Sequence, residues 1–131
     1  MTGDLDFLHA HLPDFPEYGD EYARNGSDMR VRAFVGKALV DAQDRVYAAL
    51  DDATRERFDA LVFKSQFSDN AYLKRIGHLN LAGDEIAAIA REDRRLVEVA
   101  TGLAQVDTAS AAGVLSALEA QFEARHLTFE R

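Results

Sequence analysis

From Val31 to Leu50, apolar side chains recur three or four residues apart: Val31, Phe34, Val35, Ala38, Leu39, Ala42, Val46, Ala49 and Leu50. At 100° per residue these fill an arc of roughly 160°, a wide stripe that a helix can press against a core. A strand would scatter the same residues over both faces. Comparable spacing returns along the rest of the chain, and no segment sustains the period-two alternation of a half-buried strand. The expectation is an all-α, single-domain bundle of four or five helices, with an irregular acidic N-terminal segment.

Helix boundaries follow from capping residues. The first long helix is expected to start at Ser27 or Asp28 and run to about Leu50, with Asp51-Asp52 opening a second from Ala53 to Phe67. Ser68-Asp69-Asn70 caps a short third helix with Tyr72, Leu73 and Ile76, which Gly77 is expected to end in a left-handed conformation. His78 is then placed to serve the last carbonyls. A fourth helix is expected over 83–103 and a fifth from Asp107 or Thr108 through Phe122, with a tail at 126–129 that packs or frays. Residues 1–27 hold Pro13, Pro16, Gly19 and Gly26 and divide as an N-terminal arm from a bundle over 28–131.

With 131 residues, 47% of them apolar, the chain can bury one continuous core without staples. Cysteine is absent, which excludes disulfides, thiolate zinc sites and cysteine nucleophiles and fits a reducing cytoplasm. Apolar runs are too short to span a membrane, and Met1-Thr2-Gly3-Asp4 has no early Lys or Arg to suggest a leader.

Charge is uneven. Of the net −8, residues 1–23 contribute −6 through Asp4, Asp6, Asp14, Glu17, Asp20 and Glu21, while the remainder is nearly balanced. Such a field opposes nucleic-acid phosphates and favours partners with a basic surface. The stretch from Thr101 to Glu119 has the outline of a DNA-reading helix-turn-helix. Its second helix has no Lys or Arg between Thr108 and Ala124, so direct nucleic-acid binding is not expected.

No catalytic constellation stands out. The chain lacks a nucleophile elbow, a phosphate loop, a dinucleotide fingerprint and the Glu-x-x-His pairs of di-iron bundles. His9 and His11 are too few for a metal site, so neither metal nor cofactor is expected.

Two interruptions of helical periodicity mark candidate sites. Arg45 and Asp93 fall within the apolar arcs of their helices, and a buried charge needs a partner, so either the two meet or a helix end is exposed there, with Arg45 reaching water. Phe63 and Phe67 lie opposite the stripe formed by Phe58, Leu61 and Val62. The third helix, the N-terminal arm or another molecule must cover them. The arm also interleaves acids with aromatics: Phe7, Asp14, Phe15, Glu17, Tyr18 and Tyr22 are the expected protein-binding residues, together with Phe63 and Phe67.

The function expected is a small, acidic, non-enzymatic protein-binding module. One alternative is a ligand-binding or sensory bundle with an internal polar pocket at Arg45 and Asp93, lined also by Tyr72 or His78. Another is a homodimer or larger structural assembly joined through Phe63 and Phe67.

Overall fold

In the computed structural model, which describes residues 3–77 and 83–130, six α-helices form an all-α bundle. They are α1 (Gly3–His11), α2 (Glu21–Val46), α3 (Asp52–Ser65), α4 (Asn70–Gly77), α5 (Gly83–Thr101) and α6 (Ala111–His126). Short 3-10 turns at Tyr47–Ala49 and Gly102–Gln105 finish α2 and α5. The described residues contain no strand, and none of their helices is long and apolar enough to cross a membrane.

The long helix starts earlier than its apolar stripe. Asp20, in extended conformation, accepts from the Ala23 amide at 2.7 Å and caps α2 seven or eight residues before Ser27 and Asp28. The boundary expected at 27–28 therefore falls inside α2, and both proposed caps are buried helix residues. Asp51 caps α3 as expected, accepting from Thr54 at 2.7 Å. Gly77 is the last residue of α4, and no described glycine has positive φ, which corrects the left-handed stop assigned to it. His78 lies outside the described residues.

α2 is the axis of the bundle, roughly 39 Å long at about 1.5 Å per residue. α3 returns beside it, with Gln43 donating to Asp59 near one end of the pair and Arg32 to the Ser65 carbonyl near the other. α5 and α6 pack on each other, α5 also against α1 and α2, and α6 against α3. Along the buried seam of α2 the chemistry changes halfway. Val31, Val35, Leu39, Ala42 and Val46 are apolar, whereas Arg24, Ser27, Asp28 and Arg32 lie on its first half.

The N-terminal segment belongs to the core. α1 places Leu8 and Leu12 inside, and after Pro13 the chain passes through left-handed Asp14 and Glu17 (φ 55° and 62°), burying Phe15 and Tyr18. Backbone carbonyls of this loop are held from α2: Arg30 donates to Pro13, Ser27 to Glu17 and Arg24 to Tyr18. It is therefore not a free aromatic arm.

α2 and α3 approach most closely at Gly36, where an added Cβ would sit 2.8 Å from the Ser65 hydroxyl. That hydroxyl is itself fixed by donation to the Val62 carbonyl at 2.7 Å. Gly36→Ala should cost about 1–3 kcal/mol through overpacking. In a Ser65→Ala background the same change should be neutral or stabilising, because the remaining β-carbon leaves room and alanine favours helix by about 1 kcal/mol. Urea denaturation of the four-member cycle checks this, and equal costs in both backgrounds would remove Ser65 as the reason for the glycine.

Candidate functional site

The seams of α2, α5 and α6 all carry ionisable residues into the interior, and Asp28, Asp93 and Arg125 meet there. Arg125 continues the α6 series Ala111, Leu115, Leu118 and Phe122 at three- and four-residue steps. Its Nε donates to Asp93 Oδ1 at 2.7 Å and its Nη2 to Asp28 Oδ1 at 2.6 Å. Tyr18 donates its hydroxyl to the other Asp93 oxygen at 2.5 Å, and Arg32 donates to the other Asp28 oxygen at 2.8 Å. The Tyr72 ring lies 4.6 Å from the Arg125 guanidinium carbon, adding a cation–π contact. Arg24 completes the polar end of the core by bridging the carbonyls of Tyr18 and Ile76.

Burial governs the protonation of this network. It pushes the Asp93 carboxyl up from its ordinary value, and Arg125 and Tyr18 offset this only in part. Burial also raises Tyr18, helped by the Asp93 charge, so the phenol remains a donor. Tyr72 is raised chiefly by burial as well. For Arg125, burial opposes the charge but is outweighed by its carboxylate neighbours, Asp93 foremost, and the guanidinium is held protonated.

The expected Arg45–Asp93 pair is not formed. Both oxygens of Asp93 are engaged by Tyr18 and Arg125. Arg45 is exposed and donates instead to the Leu103 carbonyl at 2.5 Å, tying the end of α2 to the turn after α5. Asp93 did need a buried cation, but that cation is Arg125. The same periodicity that singled out Asp93 also runs through Arg125 and Asp28. Arg125 falls between Phe122, the last residue of the expected helix stripe, and the tail at 126–129, and Asp28 is an expected cap, so the sequence marks neither position as buried.

The other expected site residues separate into two groups. Phe15 and Tyr18 are core residues, and Phe7 is partly buried, stacked on His11 with Arg94 over its ring. None of the three is free to engage a partner as an exposed ring. Glu17 accepts from His9 at 2.6 Å, and Asp14 is exposed. His11 turns to the Phe7 carbonyl, so the two histidines do not converge. Among the described residues no group of three or more metal-ligating side chains forms.

Tyr22, Phe63 and Phe67, by contrast, are 88%, 64% and 57% exposed, and Met29 and Val40 join them at 55% and 43%. The intrachain cover expected for Phe63 and Phe67 is therefore missing among the described residues. Three surface cavities connect these side chains along α2 and the end of α3. All three are lined by Arg32, with Met29 shared by two and Ser68 by two. Phe63 and Phe67 touch each other with ring centroids 4.7 Å apart.

Comparison with family models, with characterised proteins and with solved structures finds no match to this chain.

The network yields two expectations. Asp93→Ala should cost about 3–5 kcal/mol, because it leaves Arg125 short of one counter-charge and Tyr18 without an acceptor. Denaturant melts at neutral pH measure this, and a loss below 1 kcal/mol would show that the site relaxes without Asp93. The pH dependence has a definite sign. Asp93 binds its proton more tightly folded than unfolded, so this residue's contribution to stability declines as pH rises from its ordinary value of 3.8 through its raised native value. Asp93→Asn should remove that component, making the wild-type minus variant stability difference fall across the window. A difference that rises with pH would reverse the assignment.

Proposed function

We propose that this chain is a non-enzymatic helical module that binds another protein through the face formed by Tyr22, Met29, Val40, Phe63 and Phe67. One observation carries the reading: two touching phenylalanines, each more than half exposed, line a cavity that shares Arg32 and Ser68 with the cavity of an exposed tyrosine and methionine. Isolated apolar residues are ordinary on a surface, whereas a connected group with large aromatic members has the composition of an interface centre.

The buried ion-pair network supports this role indirectly, by holding α2, α5 and α6 in fixed register beneath the face. A partner with basic groups is favoured by the net charge of −8 and by Asp20 and Glu21, which flank Tyr22 in sequence and are exposed. A cytoplasmic setting fits a chain without cysteine. The same face could instead join two copies, and Phe63 and Phe67 would then form the contact.

A photo-crosslinking side chain placed at Tyr22 in the native cell should capture one protein, and the same group at exposed Ala120 should not. The double change Phe63→Ser with Phe67→Ser should abolish capture while shifting the melting temperature by only a few degrees, since exposed side chains contribute little to stability. Capture that survives the double change would move the interface elsewhere. A light-scattering mass that doubles with concentration and reverts in Phe63→Glu would assign the face to self-association.

A further inference from the structure

A cavity of about 380 Å³ opens beside α3 and α6, within the range of about 300–1,000 Å³ usual for small-molecule sites. Its apolar walls are Phe63, Phe67 and Phe122. Lys64 stands among them with its ammonium 5.4 Å from the Phe122 ring centroid, and its charge also acts on Glu119.

Arg125 also lines this cavity, although it is only 3% exposed. Two of its nitrogens are committed, Nε to Asp93 and Nη2 to Asp28. Nη1 has no hydrogen-bond partner among the described residues. No fully buried side-chain polar atom there is left unpaired, so Nη1 is not fully buried. The one carboxylate in the lining, Asp69, is occupied by His126 Nδ1 at 2.5 Å and by the Tyr72 amide at 3.2 Å.

The charges beneath the cavity do not cancel. Arg24, Arg32, Arg125 and Lys64 stand against Asp28, Asp93 and the lining carboxylate Asp69, which leaves one positive charge in excess. Three rings with a single open guanidinium nitrogen suit a ligand that is mostly hydrocarbon and ends in one negative charge. A neutral oxygen can accept from Nη1 but brings no counter-charge, and a cation would be repelled by Lys64 and Arg125.

We propose that this cavity binds a small amphipathic monocarboxylate of medium chain length, its chain against Phe63, Phe67 and Phe122 and its carboxylate directed to Lys64 Nζ and Arg125 Nη1. Binding covers the two phenylalanines while leaving Tyr22 and Met29 outside. The proposal does not rest on the existence of a protein partner.

Calorimetric titration of the purified full chain with decanoate, decan-1-ol and decylamine, each below its micellar range, tests it. Decanoate should bind at one saturable site about tenfold or more tighter than the alcohol, with no binding of the amine. Lys64→Gln, a surface change that spares the buried network, should weaken decanoate by about fivefold to tenfold, whereas Lys37→Gln should leave it within about twofold. Amide NMR shifts should centre on Phe63, Phe67, Phe122 and Arg125. Equal binding of acid and alcohol, no effect of Lys64→Gln, or no saturable decanoate binding would each overturn the proposal. Protein capture at Tyr22 is a separate measurement, so either reading can fail without the other.

Discussion

Arg125 is the residue on which the polar end of the core depends. Its guanidinium lies between Asp28 of α2 and Asp93 of α5, with the Tyr72 ring of α4 against its face. Tyr18, from the loop after α1, is drawn in as the second donor to Asp93. Five elements thus converge on one planar cation. An ion pair of this kind is weak support for stability, because desolvating the charges offsets most of their attraction. Its geometric demands are strict, however: two fixed donor directions must find two carboxylates, which limits the sliding of α2, α5 and α6 that an all-apolar seam would tolerate.

That constraint explains why the N-terminal segment is ordered. An acidic stretch with two prolines and several aromatics has the composition of a solvated arm. It is recruited because α2 extends back to Asp20 and presents Arg24, Ser27 and Arg30, whose side chains bind the loop's own carbonyls. With these groups satisfied, Phe15 and Tyr18 can pack without stranding polar backbone. Phe15 and Tyr18 are buried, while Tyr22 remains in solvent with Asp20 and Glu21.

Function is then sought where the interior ends. The polar network supports a surface on which Tyr22, Met29, Phe63 and Phe67 remain in solvent, and Arg32 lies along that surface between its cavities. Arg125 reaches the same face from below. The apolar surface and the buried charge are therefore neighbours, so a ligand or partner meeting Phe63 and Phe67 lies close to the network that orients the helices.

Sequence by itself determined the helical class and the five segments from α2 to α6, because spacing at three and four residues is a local property that any core must accept. It also marked Phe63 and Phe67 as lying opposite the main stripe of their helix, and Asp93 as a charge in need of a partner. Which partner was decided only in three dimensions. Arg45 and Arg125 both break an apolar arc, but α2 passes Asp93 at Asp28 and Arg32, while Arg45 lies toward the far end of α2 beside Leu103. The same holds for the arm: its burial depends on carbonyl partners supplied by a helix start that no apolar residue announces. Periodicity reports which side of a helix is buried. It carries no information on which helices meet there, or at what height along their axes.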